Sequence, residues 1–557
     1  MDKFNDIKSR KDLATFLGIP LKKLTYVLYV KSPEKYYKSF EIPKKNGESR
    51  IINAPQSDLK EIQKKFARGL WKFHKEYIES EGINLKLSHA FEKEKGIITN
   101  AIIYRNKRYV LNIDLENFFE SFHFGRVKGF FEKNKEFNLP TDIATIIAQL
   151  TCYKGYLPQG APSSPIITNL IFNILDMRLL KISRRYKLDY TRYADDMTFS
   201  TNDSQFINLQ EKFLKDITKE IEKSGFLVNN NKTRLVFRDS RQEVTGLVVN
   251  KKINVSKDYC KKTRAMADTL YKQSEFKIGN FDGSIKQLEG RFVFINQLDY
   301  YNNTNDKDKK KHDVWNLNSR EKQYQKFLFY MYFLANSKPL IVTEGKTDIL
   351  YLKAALKKNY RKYPKLITKT NNDFEFNVSF LRRSRRLKYF FNIQQDGADT
   401  MQNIYNFYSG YKKQYPNLYE YFRGKNSSEF NYPVVLVYDN EQESNRPLKN
   451  FINNANINKK TPQSRYENVV GNLYFLTNPL VEGKKECEIE DLFDETILSH
   501  TIGGKSFSRK KDFDVSKFYG KSIFSEYILK NYTTIDFNEF IPMLDDLNSI
   551  INDFRKS

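Results

Sequence analysis

Apolar and polar residues mix in two short β-type runs, Tyr190-Thr191-Arg192-Tyr193 and Met197-Thr198-Phe199-Ser200, with Ala194, Asp195 and Asp196 between them. Such flanks around a short acidic break predict a β-hairpin with the carboxylates at its tip. A second strand-like run, residues 109–113, ends at Asp114. Residues 40–55 read as two more strands joined at Asn46-Gly47, a strong hairpin signal, with Lys44 and Lys45 at the tip. Residues 1–40 carry Leu13, Phe16 and Leu17 at helical spacing, and a helix is expected over 57–81. Mixed strands and helices follow to about 250, then a basic helical segment over about 256–300. Residues 302–313 contain no apolar side chain and read as a linker or exposed loop, followed by a helix to about Ala335. From Pro339 the texture changes to helices alternating with short apolar runs. Residues 340–342, 389–391, 434–437 and 473–476 are of the kind buried in parallel sheets. No internal repeat is visible.

At 557 residues, and at roughly 150 residues per domain, the chain should fold as about three or four units. Lys and Arg number 94 against 67 Asp and Glu, a net charge of +27. Most of that excess lies before residue 338, which favours a polyanionic partner, nucleic acid rather than membrane. Cys152, Cys260 and Cys487 are too dispersed for a disulfide framework or a zinc site, and the five histidines form no ligand pattern. No apolar signal region opens the sequence, and its longest apolar stretch, residues 327–335, is far short of a membrane span. A cytoplasmic location is the expectation.

Asp114, Asp195 and Asp196, each at a strand end, form a triad of the kind that holds two divalent metals about 3.5–4 Å apart for in-line attack on a phosphate. Between them lies Leu157-Pro158-Gln159-Gly160-Ala161-Pro162, whose Gly160 and Pro162 set a tight turn that can lie against a base pair. The order Asp, Gln-Gly-x-Pro, Tyr-Ala-Asp-Asp resembles a reverse transcriptase. Val244-Thr245-Gly246-Leu247 and Asn100-Ala101 narrow the resemblance to the retron reverse transcriptases of bacteria, although Tyr104 stands where that family usually has His. The resemblance implies an α+β right-hand polymerase: fingers and palm over residues 1–250 and an RNA-binding thumb over 251–300. It implies Mg²⁺ on Asp114, Asp195 and Asp196. Arg50, with Lys44 and Lys45, would meet the triphosphate, since a guanidinium can pair two phosphate oxygens at once. Gln159 and Gly160 would line the incoming deoxynucleotide, Phe119 would lie under its sugar, and Lys232 would stand near the leaving group. Retrons make a branched RNA–DNA hybrid from a structured non-coding RNA and serve in antiphage defence. No RNase H-like acidic set follows the polymerase, so a host RNase H is expected to remove the template.

After a connecting stretch at 301–337, residues 338–557 carry a second acidic pattern. Glu344-Gly345 follows the apolar run 340–342, and Asp439-Asn440-Glu441 follows the run 434–437. Carboxylates at the carboxyl ends of parallel strands can bind Mg²⁺. Glu-Gly and then Asp-x-acid resembles the toprim domain, an α/β fold with a mostly parallel sheet found in topoisomerases, primases and overcoming-lysogenization-defect nucleases. That family usually has Asp-x-Asp, and Glu441 takes the second place here. The resemblance implies a metal-dependent nuclease effector with Glu344, Asp439 and Glu441 holding a separate Mg²⁺ or Mn²⁺. The stretch 488–493 resembles a downstream acidic element of the nuclease branch. Two alternatives stand beside this one: a non-retron bacterial reverse transcriptase, and a polymerase whose toprim domain only binds nucleic acid. The sequence leaves the cognate RNA and the oligomeric state open.

Overall fold

A computed structural model of the protein describes residues 4–43, 47, 49–82, 87–304, 314–371, 373–394, 397, 401–411, 414–426, 430–441, 446–457, 465–510 and 512–554. The chain divides into two compact units, Met1–Ser256 and Lys257–Ser557.

The first unit opens with short helical segments that bury Leu13, Leu24 and Val27. Strands β1 (Tyr37–Pro43) and β2 (Ser49–Pro55) pair antiparallel, Ile42 opposite Arg50. The expected hairpin therefore forms, but Lys44 and Lys45 lie outside the described residues. Helix α1 (Ser57–Ser80) buries Leu59, Ile62, Phe66 and Leu70, the three- and four-residue spacing of one helical face. A four-stranded antiparallel sheet follows, built from β3 (Tyr109–Glu116), β4 (Asp189–Tyr193), β5 (Asp196–Thr201) and β6 (Leu227–Phe237) in the order β4-β5-β3-β6. Central β3 is buried along almost its whole length, as its apolar run requires. Helices α2 (Ser164–Arg185) and α3 (Phe206–Lys223) contribute Phe172, Leu175, Phe213 and Ile217 to the core of this unit.

Two elements of the sequence resemblance meet beside this sheet. Val244 to Leu247 form a two-residue turn with positive φ at Thr245 (48°) and Gly246 (78°), and the helix Ile97–Ala101 packs next to it. Tyr104 is fully buried; its hydroxyl lies 2.5 Å from Thr191 Oγ1 and donates to the carbonyl of Thr198 at 2.8 Å. Thr191 Oγ1 in turn donates to Asn100 Oδ1 at 2.5 Å. Tyr104 thus ties β4 and β5 to the Asn100 helix, a structural post that a smaller imidazole would fill differently.

The second unit begins with α4 (Lys257–Gln273), α5 (Ile285–Thr304) and α6 (Ser319–Phe329). Its five-stranded sheet contains β7 (Leu340–Thr343), β8 (Ser379–Phe380), β9 (Val434–Tyr438), β10 (Tyr466–Val470) and β11 (Leu473–Thr477), ordered β8-β7-β9-β11-β10. All neighbours run parallel except edge strand β10. Side chains alternate as the pleat demands. Leu340, Val342, Val434 and Leu436 join Leu270, Phe292 and Phe327 of α4, α5 and α6 in one core. Ile341, Val435 and Val437 face a second core with Leu352 of helix α7 (Asp348–Lys358) and Phe524 of helix α8 (Lys521–Lys530).

Two expectations change. Residues 389–391 are not a strand but the end of a helix, Arg385–Phe391, capped by Ser384 Oγ and closed by Asn392 at φ 52°. Leu387, Phe390 and Phe391 are its buried positions, three and four apart, so the helical period governs and the apolar run alone misleads. The expected linker begins as structure: Asn302 and Asn303 are buried in the last turn of α5. Residues 305–313 lie outside the described residues. The connecting helix α6 is core, with Phe327, Leu328 and Phe329 fully buried. No single described helix is long and apolar enough to cross a membrane.

Candidate active site and a second acidic site

In the first unit, β4 and β5 pair with Tyr193 opposite Asp196, so Ala194 and Asp195 form a two-residue turn. Ala194 sits at φ 57°, a left-handed conformation that costs an alanine about 1–2 kcal/mol. The turn is held from below. Arg192 is wholly buried and donates through Nη1 to the Ala194 carbonyl at 3.1 Å. The same guanidinium grips Asp176 of α2 through Nε (3.0 Å to Oδ1) and Nη2 (2.8 Å to Oδ2), and lies 4.3 Å over the Phe172 ring. Tyr190 adds a hydrogen bond to Asp176 at 2.7 Å.

This scaffold puts Asp196 opposite Asp114 in the β3–β5 register, and the Leu115 amide donates to the Asp195 carbonyl at 3.3 Å. The three carboxylates are therefore carried at one end of the sheet. Burial raises the Asp195 carboxyl above the ordinary range, and the charge of Asp114 adds to the rise. Asp196 is pushed up to about 7, by desolvation in the cleft and then by the charges of Asp195 and Asp114. Its side chain still opens to solvent, so the crowding of like charge is the feature that invites a cation. Lys232 of β6 places Nζ 3.0 Å from Asp114 Oδ1 and is itself held protonated by that contact. Among the described residues no three side chains of ligating type are disposed to hold an ion as they stand. The fit rests on the donor set: three hard carboxylates, two of them lifted toward protonation, are what Mg²⁺ prefers and would discharge.

Arg50 on β2 is exposed, and its charge lowers the pKa of Asp195, which puts the hairpin within electrostatic reach of the triad. The Gln159 carbonyl accepts from the Asn53 amide at 2.8 Å, docking the turn on β2. Gly160 has φ 111°, and a Cβ there would meet Ile52 Cγ2 at 2.7 Å and the Asn53 carbonyl at 3.1 Å. Phe119 is half-buried, edge-on to Phe118 at 5.4 Å. Arg192 and Asp176 were not singled out by the sequence, since a charged residue in a short strand ordinarily reads as solvent-facing.

In the second unit, Glu344 follows β7 and Asp439 follows adjacent β9. The Asp439 amide donates to Glu344 Oε1 at 3.0 Å. Asp439 Oδ1 accepts from Asn478 Nδ2 (2.7 Å) and the Ile489 amide (3.0 Å). Paired backbone hydrogen bonds between Asn440 and Cys487 fasten the 488–491 segment to the end of β9. That segment delivers Glu488 and Glu490. Lys521 of α8 binds both, at 3.2 and 3.0 Å, and its ammonium is held protonated by them. Glu344, Asp348, Asp439, Glu488, Glu490 and Lys521 line one cavity of about 690 Å³. Burial lifts Glu344 to about 7 and Asp348 to about 6, and raises Asp439 strongly; the neighbouring carboxylates add to each. Glu441 stands at the margin, 3.4 Å from Arg446, with its charge felt at Glu344. The buried, crowded oxygen donors suit a hard divalent cation. Asp348, four residues after Glu344, was not singled out by the sequence, and Lys521, 177 residues from Glu344, gave no sequence signal.

Comparison with known proteins bears on the first unit and the start of the second. Residues 42–277 match the family model described as reverse transcriptase (RNA-dependent DNA polymerase). The chain is 30% identical over 327 residues to the retron Mx162 reverse transcriptase of Myxococcus xanthus, covering 53% of this chain and 64% of that one. It is 31% identical over 293 residues to the retron Ec86 reverse transcriptase of Escherichia coli, covering 52% and 84%. Among solved structures it is similar to telomerase from Candida albicans in complex with a fragment of telomeric RNA, at 13% identity, 53% and 60% coverage and a TM-score of 0.31.

Proposed function

Because the chain belongs to the retron reverse transcriptases, we propose that it synthesises the DNA of a branched RNA–DNA hybrid, with a structured non-coding RNA as template and primer. The observation that carries this is the convergence of Asp114, Asp195 and Asp196 at one end of the β3–β5 sheet, on a turn braced by Arg192. Reverse transcriptases generally use Mg²⁺, and these three residues would hold it. When bound, the metal lowers the pKa of an attacking hydroxyl and steadies the leaving pyrophosphate. The protein's own groups do the rest. Arg50 receives the triphosphate, Lys232 meets the charge of the leaving group, and the Gln159–Gly160 turn positions the incoming deoxynucleotide on β2. Phe119 excludes a ribose 2′-hydroxyl, and a host RNase H removes spent template. The test is to purify the protein with the nucleic acid it carries and sequence that cargo. A small RNA joined to short DNA is expected, and RNA without DNA from Asp195→Asn. Cargo lacking any joined RNA–DNA species would refute the retron assignment.

A second function is favoured by the cavity at the ends of β7 and β9. Residues 338–557 act as a toprim-like, metal-dependent nuclease effector in antiphage defence, with Glu344 and Asp439 as principal ligands of Mg²⁺ or Mn²⁺ and Glu441 as a third. Nicking of DNA or RNA that needs divalent metal and vanishes in Glu344→Ala, with DNA synthesis intact, supports it. Absence of metal-dependent cleavage in the wild-type protein would favour a binding module instead.

A further inference from the structure

Beside the acidic cavity lies a groove of about 650 Å³ of opposite character. Its floor is the exposed end of α7, where Ile349, Leu350 and Lys353 follow Lys346 at helical spacing on one face. Its wall is the edge of the sheet: Phe380 on β8, and Phe376 on the short antiparallel strand Phe374–Phe376. Arg382, just past β8, closes the rim. Lys353 lies 5.5 Å from the centre of the Phe376 ring and 5.3 Å from that of Phe380. Lys346, Lys353 and Arg382 are in no ion pair with a described residue. Burial lowers the pKa of Lys353, and the charges of Arg382 and Lys357 lower it further, the mark of cations crowded without a counter-charge. Glu375 between the two phenylalanines of its strand points away by the pleat and binds Lys338 at 3.2 Å.

Gly345 and Lys346 line both this groove and the acidic cavity. From this geometry we propose that the groove seats a single strand of nucleic acid, with phosphates on Lys346, Lys353 and Arg382 and bases against Phe376 and Phe380, and leads it past Gly345 to Glu344 and Asp439. Unpaired cations interleaved with half-buried rings are the physical requirements of sequence-tolerant single-strand binding. The sharing of Gly345 and Lys346 by both cavities is what favours a strand over a free nucleotide. The delivery step rests on the nuclease reading above; the binding step does not.

The experiment uses the full-length protein with its own RNA bound, in EDTA, irradiated with a short single-stranded DNA carrying 5-bromouracil. Crosslinked peptides are identified by mass spectrometry. We expect a crosslink on the peptide holding Phe376 and Phe380. It should fall about tenfold or more in Lys353→Glu/Arg382→Glu, and by a comparable factor in Phe380→Leu, which keeps an apolar side chain but removes the stacking ring. Primer extension and thermal unfolding should match wild type in these variants. E344Q should retain the crosslink. If E344Q and wild type are equally inert in metal while both crosslink, the nuclease reading fails and the groove stands. Three results would overturn the groove: no crosslink on residues 374–382, a crosslink unchanged by the charge reversal, or full competition by a mononucleotide at concentrations where the strand competes no better.

Discussion

The sharpest prediction concerns Arg192 and Asp176, neither of which would touch a nucleotide. Both are essentially inaccessible, with side-chain exposures of 0% and 1%, and they share a bidentate contact. Removing one partner of a buried pair leaves the other charge uncompensated, at about 3–5 kcal/mol. Asp176→Leu should therefore destabilise the first unit by that amount. For a unit of this size each kcal/mol moves Tm by about 2–4 °C, so calorimetry should show a fall of roughly 6–20 °C. Replacing both partners by apolar residues of similar volume is often neutral. Arg192→Met/Asp176→Leu should thus recover most of the lost Tm. DNA synthesis should not recover with it, because the Ala194 carbonyl has lost its donor and the left-handed turn carrying Asp195 has lost its brace. Primer extension at a temperature where the double variant is fully folded reads that split. A Tm change under about 2 °C in Asp176→Leu would refute the energetic claim. Wild-type synthesis by the double variant would refute the claim that Arg192 positions the turn.

Three further outcomes are expected. Gly160→Ala should cut DNA synthesis severely while sparing RNA binding by filter retention, since its Cβ would collide with Ile52 at 2.7 Å in a left-handed backbone; near-normal primer extension would mean the turn yields. The Asp196 carboxyl has a folded-state pKa raised from 3.8 to about 7, so the folded protein binds this proton more tightly than the unfolded chain and loses stability as pH rises between those values. Asp196→Asn should accordingly raise the metal-free Tm at pH 8 relative to wild type but leave it little changed at pH 4, and an equal effect at both would exclude charge crowding as the cause. Phe119→Ala should admit ribonucleotides in a primer-extension assay, and unchanged sugar discrimination with activity retained would return the ring to a packing role against Phe118.

The parts of this site that were legible in the sequence are those with local periodicity. The β-type runs on both sides of Ala194 announced the hairpin, and the apolar runs before Glu344 and Asp439 announced strand ends followed by acids, whereas β3 continues through Leu115 and Glu116 past Asp114. What stayed hidden is non-local. Arg192 carries a charge that by itself suggests solvent, and only the fold shows it facing Asp176, 16 residues earlier on a helix. Lys521 reaches Glu488 and Glu490 across more than 30 residues with no pattern linking them. Residues 389–391 failed for a different reason: three consecutive apolar residues satisfy both periods, and the serine cap at 384 was the signal that should have decided.

The helices α4, α5 and α6 share one apolar core with the strands β7 and β9. Their contribution is therefore not a detachable cassette. A gene fragment stopped at residue 337 would translate Leu270, Phe292 and Phe327 without the sheet that covers them, and its product would be sticky rather than minimal. A fragment begun at 338 would carry the complementary wound on Leu340, Val342, Val434 and Leu436. The natural seam for grafting, swapping or truncation is Ser256–Lys257, where the compact units part. Domain-exchange libraries and shuffled chimaeras cut at that peptide keep each core whole, whereas a junction drawn from the lysine- and aspartate-rich stretch after α5 divides a core that folds as one piece.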